Sequence, residues 1–219
     1  MKLTIIAATG GIGRKLLEQA VDGGHDVTAV ARTPANLTRQ VNTVRADLSN
    51  PDPDALASAV LGADAVLSGL GPRRISESGI VSAGTRAITA AMKAAGARRL
   101  LVVSAAPIAT TPSPGRPNPP RHDPGDGFLV SYVFTPPLKA ILRRPYADLA
   151  LMEDVLRDSG LDWTSVRPPR LTNGPLTERY RLSYGHNAGA TISRADVAHA
   201  MLRLVTDGKA IGQPVGIGY

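Results

Sequence analysis

No cysteine occurs among the 219 residues. That excludes a disulfide framework, a thiolate zinc site and a cysteine nucleophile together, and it fits a reducing compartment. Aromatic residues are sparse, with two Phe, five Tyr and one Trp. A surface that grips single-stranded nucleic acid needs stacking platforms, and this chain has few to offer. No apolar run reaches the roughly 18 residues that a membrane span requires. The opening Met1-Lys2-Leu3-Thr4-Ile5-Ile6 runs into a glycine turn too soon for a signal peptide. The expectation is a cytoplasmic protein that binds neither membrane nor nucleic acid.

What is present is ordinary for a globular protein: 43% hydrophobic and 20% charged residues. A chain this long buries roughly 70% of the surface that its unfolded form exposes, so its core needs no staples. One domain over residues 1–219 is expected, as a monomer or weak homodimer. The net charge is 25 − 18 = +7. An excess of cations suits an anionic ligand. The Arg and Lys residues are scattered, so most read as solvated surface and a minority as ligand contacts.

Short apolar runs alternate with helical spacing. Strands are expected at 3–7, 26–31, 41–46, 65–70, 99–104 and 163–167, with a last edge strand at 214–217. Helices are expected at 14–21, 53–61, 78–95, 146–159 and 194–205. Near-continuous apolar strands separated by helices imply a parallel sheet covered on both faces. With right-handed crossovers this is an α/β, Rossmann-like doubly wound sheet with a small C-terminal portion on the substrate side. Ser193-Arg194-Ala195-Asp196 reads as a capping box that opens the last helix. Residues 105–145 break the rhythm and hold ten of the eighteen prolines. A stretch this long without regular pattern is either functional or mobile. It reads as a lid over the substrate or as a disordered insertion.

The strongest motif is Ala7-Ala8-Thr9-Gly10-Gly11-Ile12-Gly13, between a strand and a helix. Gly10 and Gly11 let backbone approach a pyrophosphate, and Gly13 lets the helix pack close to the strand. Thr9 and Ile12 belong to the same turn. The helix N-terminus supplies free N–H groups and partial positive charge. About 20 residues on, a dinucleotide site places the group that meets the adenosine ribose. Here it is Arg32, followed by Thr33, where an acid would select NAD. Arg pairs with a 2′-phosphate, so NADP(H) is the expected cofactor; the competing reading is a solvated cation at a strand end. Asp47 and Leu48 follow the third strand, where adenine would sit. Ser68, Gly69 and Leu70 follow the fourth, beside the bridging ribose and phosphates. Each also reads as an ordinary strand-end turn.

These motifs resemble the atypical short-chain dehydrogenases/reductases. The stretch from Ser159-Gly160-Leu161-Asp162-Trp163 to Arg167-Pro168-Pro169-Arg170, with Ile192-Ser193-Arg194-Ala195-Asp196-Val197-Ala198, is similar to the NAD(P)H-binding group of biliverdin reductase B (flavin reductase) and NmrA-like proteins. The resemblance implies Ser104 and Arg170 as catalytic residues, with Ser104 and Pro168 beside the nicotinamide. It departs at three points. Ala7 stands where the family has a glycine, and Ala105 where it has a second hydroxyl. The Tyr-x-x-x-Lys pair is missing: Tyr146 is followed four residues on by Ala150.

That last departure constrains chemistry. Reducing a simple ketone needs an acid of suitable pKa, and a tyrosine without its lysine is a weak one near neutrality. A conjugated acceptor, such as a flavin, quinone or tetrapyrrole, stabilises hydride by delocalisation. The sequence therefore points to an NADPH-dependent reductase of a small conjugated molecule. The alternative is a non-catalytic NmrA-like sensor that binds NADP. His25 and His199 read as structural, and His122 and His186 are too isolated for a metal site.

Overall fold

The computed structural model describes residues 1–72, 77–126 and 141–219. Its central sheet has eight strands: β1 (Lys2–Ile6), β2 (Asp26–Ala31), β3 (Asn42–Arg45), β4 (Ala65–Ser68), β5 (Arg99–Val103), β6 (Asp162–Arg167), β8 (Arg181–Tyr184) and β10 (Gln213–Gly218). Their order is β3-β2-β1-β4-β5-β6-β10-β8. All pairings are parallel except that of β8 with β10. β7 (Arg170–Thr172) and β9 (Thr191–Ser193) form a separate parallel pair.

Among the described residues, five helices cover the sheet: α1 (Gly11–Asp22), α2 (Pro53–Val60), α3 (Ile80–Ala95), α4 (Arg143–Arg157) and α5 (Arg194–Leu204). Every residue of β4 and β5 is buried, which is why these strands lack polar alternation. One face packs Leu3, Ile5 and Leu67 against Leu16 and Leu17 of α1 and Met201 and Leu204 of α5. The other packs Ile6, Val66 and Leu100 against Leu56, Ile88, Met92 and Met152 of α2, α3 and α4. Among the described residues, no helix is long and apolar enough to cross a membrane.

The helix ends follow local chemistry. The Asp52 carboxylate accepts the N–H groups of Asp54 at 3.0 Å and Ala55 at 3.2 Å, with Pro53 in the first turn. The Ser193 hydroxyl accepts the N–H of Asp196 at 2.9 Å. Asp196 does not complete the box by reaching back. The Ser193 N–H goes to the Tyr219 hydroxyl, and the Asp196 carboxylate takes the N–H groups of Thr177 and Glu178 and the hydroxyls of Thr177, Ser193 and Tyr219.

Two expectations change. The last strand is internal, because β8 pairs beyond it and becomes the edge. β7, β8 and β9 are additional; each is only three or four residues long, too short to reveal a period. In the described part of 105–145, residues 111–126 are mostly exposed, and a few side chains anchor the chain. Asp123 is buried and accepts the N–H of Asn187 at 2.9 Å and of Gly125 at 2.8 Å. The Asn187 amide donates to the Ala106 carbonyl and to Asp126. Ser113 and the Gly115 N–H are held by Asp154. The lid reading for 127–140 lies outside the described residues.

Candidate functional site

The strand order reverses between β1 and β4, so the flanking crossovers diverge and leave a crevice at the carboxyl ends of the strands. A cleft of about 360 Å³ lies there. It is lined by the ends of five strands: Ala7 after β1, Val30 to Arg32, Ala46 to Leu48, Gly69 to Pro72, and Val103 with Ser104.

The glycine turn forms its floor. Gly10 N–H donates to the Ala7 carbonyl at 2.8 Å, closing the turn. Ala7 reaches this geometry at φ 57°, a left-handed conformation that costs an L-residue about 1–2 kcal/mol. α1 then begins with Gly10 as its cap, with no side-chain hydrogen bond and no acidic residue in the first turn. Its leading N–H groups and partial positive charge face the cleft, the arrangement that binds phosphate. Gly13 serves packing. A Cβ there would stand 2.2 Å from the Ala7 carbonyl oxygen, and one on Gly69 would stand 2.8 Å from the Gly13 nitrogen.

Thr9, Gly10, Gly11, Ile12, Arg32, Asp47, Leu48, Gly69, Leu70 and Ser104 all line the cleft. Gly13, Thr33, Ser68, Pro168 and Arg170 are not among its lining residues. Ser68 is buried and its hydroxyl accepts the Leu70 N–H at 3.3 Å, bending the chain out of β4. Pro168 is buried and its carbonyl accepts the Ala106 N–H at 2.9 Å. Arg170 is exposed at the start of β7, one residue before Leu171, which lines the cleft.

At one end of the cleft the Arg32 side chain is exposed. Asp47 accepts the Ser49 N–H at 3.0 Å and its hydroxyl at 2.7 Å. These bonds, against a small burial penalty and with help from the Arg32 charge, hold the Asp47 carboxyl below its usual range.

At the other end Ser104 is buried, and its hydroxyl donates to Glu153 Oε1 at 2.9 Å. Glu153 also receives the Ser165 hydroxyl at 2.8 Å and the Arg167 Nε at 2.9 Å, with a second Arg167 nitrogen on Oε2. Burial alone pushes the Glu153 carboxyl up. The bonds and charge of Arg167, with Ser165 and Ser104, outweigh it and leave the group below the usual glutamate range. An ionised carboxylate only accepts, so the Ser104 hydrogen is committed to it. Toward the cleft Ser104 presents an acceptor lone pair. Tyr146 is packed in the α3–α4 core, and burial pushes its hydroxyl pKa up. It does not line the cleft.

Two functional candidates escaped the sequence reading. Arg194, at the first position of α5, lines this cleft and a second, more open cavity of about 390 Å³ beside Arg14 and Lys15. Glu153 anchors Ser104. Both had a signal. A cation at a helix N-terminus opposes the helix dipole, and Glu153 falls on the apolar face of α4 between Leu149 and Leu156. Among the described residues, no cluster of His, Asp and Glu is placed to hold a metal.

A parallel sheet in this order, with an uncapped helix after a glycine turn at the switch point, defines a Rossmann-fold dinucleotide-binding protein. The chain belongs to the NAD(P)H-binding family, whose model matches residues 7–208. It is similar to a solved protein of Streptococcus pneumoniae provisionally named an NADH-flavin reductase, at 26% identity over 99% of this chain and 98% of that one, with a TM-score of 0.73. The anaerobilin reductase ChuY of Escherichia coli O157:H7 aligns at 22% identity over 99% and 96%, with a TM-score of 0.75. A short-chain dehydrogenase/reductase of Veillonella parvula in complex with NADP aligns at 22% over 100% and 94%, with a TM-score of 0.71.

Proposed function

We propose that the protein is an NADPH-dependent reductase that passes hydride to a planar conjugated acceptor such as a flavin, quinone or tetrapyrrole. The observation that carries this reading is the cleft itself. One continuous groove runs from an exposed arginine at the ribose end, over an uncapped helix N-terminus, to a half-apolar end at Val103, Ser104, Leu149 and Leu171. When bound, the cofactor supplies the hydride.

The chain's own groups bind and orient. Arg32 would pair with a 2′-phosphate, for which NAD offers only a hydroxyl. Asp47 and Leu48 would border the adenine. The free N–H groups at the start of α1 would hold the pyrophosphate. The Ser104 oxygen is fixed by Glu153 and would accept an amide N–H of the nicotinamide. Val103, Leu149 and Leu171 would keep water from the transferring hydride.

The acceptor class follows from what the ring end lacks among the described residues. Tyr146, the tyrosine of α4, is in the core, and Ser104 has committed its proton. A substrate that needs an acid from either would be poorly served, whereas a conjugated acceptor delocalises the incoming charge. The S. pneumoniae and E. coli relatives, whose names specify flavin and anaerobilin reduction, support the same class.

The test is NADPH oxidation with FMN, riboflavin and a simple quinone, each followed by loss of nicotinamide absorbance and by acceptor reduction. Equal consumption of NADPH and acceptor is expected for at least one of them. Tight NADPH binding without turnover on any planar acceptor would overturn the reductase reading and favour the NmrA-like sensor.

A further inference from the structure

Arg194 occupies an electrostatically poor position. It opens α5, where the helix dipole disfavours a cation. The uncapped N-terminus of α1 lies beside it, adding a second positive field. The side chain lies against the glycine turn: a Cβ built on Gly11 would stand 2.8 Å from Arg194 Nε and 2.9 Å from its Cδ. The placement is imposed by the fold, since the Gln19 amide of α1 donates to the Ala195 carbonyl at 2.9 Å. Yet among the described residues the guanidinium has only neutral partners, Asn173 Oδ1 at 2.7 Å and the Thr172 carbonyl at 3.3 Å. Among the described residues it pairs with no carboxylate. The nearest acid in its own first turn, Asp196, is already occupied by Thr177, Glu178, Ser193 and Tyr219.

Resting on the dinucleotide reading of the cleft, we propose that Arg194 is a mobile pyrophosphate ligand that leaves Asn173 and Thr172 to pair with the diphosphate bridge when the cofactor enters. A diphosphate is the ligand that this position fits. It sits against the glycine turn, neutralises the two helix termini, and gives a planar guanidinium the paired oxygens that it binds best. The side chain also stands between the cleft and the second cavity, lined by Arg14 and Lys15 as well. It has room to turn without disturbing the core.

The diphosphate is common to NADPH and NADH, whereas the 2′-phosphate is not. Arg194→Gln should therefore weaken both dinucleotides by the same factor, roughly tenfold to a hundredfold for a lost charge-assisted contact. The NADPH-to-NADH ratio should hold. Arg194→Lys should recover part of the loss, because the charge returns without the fork. Adenosine 2′-monophosphate, which has no diphosphate, should bind Arg194→Gln as it binds wild type. Dinucleotide affinities unchanged in Arg194→Gln would overturn the proposal while leaving the cleft assignment standing. An equal loss of adenosine 2′-monophosphate would also overturn it, by revealing a purely structural role. Wild type that binds neither dinucleotide would remove the cleft assignment and the proposal with it.

Discussion

Replacing Glu153 by glutamine removes one charge from a buried pair and keeps its shape. Glu153 and Arg167 side chains are each 3% exposed, so water does little to screen them. The glutamine amide would turn a donor toward groups that all donate: Ser104, Ser165 and the Arg167 guanidinium. Breaking a buried pair by removing one partner costs about 3–5 kcal/mol, because the surviving charge stays desolvated. At about 2–4 °C per kcal/mol for a chain of this size, the midpoint of thermal unfolding should fall by about 6–20 °C. The double variant Glu153→Gln with Arg167→Met should recover much of that, since an apolar replacement leaves no charge behind. The folded-state pKa of Glu153 is lowered. Its ionisation therefore stabilises the fold fully above the ordinary glutamate range, and this contribution is lost as pH falls through the folded value. Glu153→Gln should be destabilised at neutral pH and lose less on acidification than wild type. Urea unfolding of the three proteins across pH is the assay. A single variant as stable as wild type at neutral pH, with an unchanged acid dependence, would refute the reasoning.

Other substitutions probe separate parts of the account. Ala7→Gly relieves the left-handed strain at φ 57° and should stabilise the fold by about 1 kcal/mol, net of the entropy glycine loses on folding; calorimetry showing destabilisation would contradict it. Gly13→Ala should do the opposite, because its Cβ would meet the Ala7 carbonyl at 2.2 Å; soluble protein with an unshifted melting temperature would count against the tight turn. Tyr146→Phe should leave turnover within about twofold, since loss of a catalytic acid would cost 10²-fold or more; a hundredfold fall in steady-state rate would make Tyr146 a proton donor after all.

The parts of the fold legible in sequence were those with strong local codes. The apolar strands β1, β2, β4, β5 and β6, the glycine turn, the Ser193 cap and the extent of α3 each carry their structure within a few residues. β8 and the β7–β9 pair do not. They are short and partly exposed, and partners distant in the chain hold them in place. The internal position of β10 depends on β8 and was hidden for the same reason. At the site, residue types at strand ends indicated most of the cleft-lining positions, because a Rossmann sheet brings its carboxyl ends together. The direction of the Ser104 hydrogen and the approach of Arg194 to Gly11 depend on packing between α1, α4 and α5, which no local pattern encodes.

The central claim is that the cleft holds NADPH with Arg32 on the 2′-phosphate, and the most direct test is a titration of NADPH and NADH against wild type and Arg32→Ala by nicotinamide fluorescence. Wild type should prefer NADPH. Arg32→Ala should weaken NADPH by roughly tenfold to a hundredfold and leave NADH nearly unchanged. Because Arg32 is exposed, part of the wild-type preference should fade at high salt. Equal affinity of wild type for the two cofactors, or an equal loss of both in Arg32→Ala, would contradict the account and leave Arg32 as surface charge.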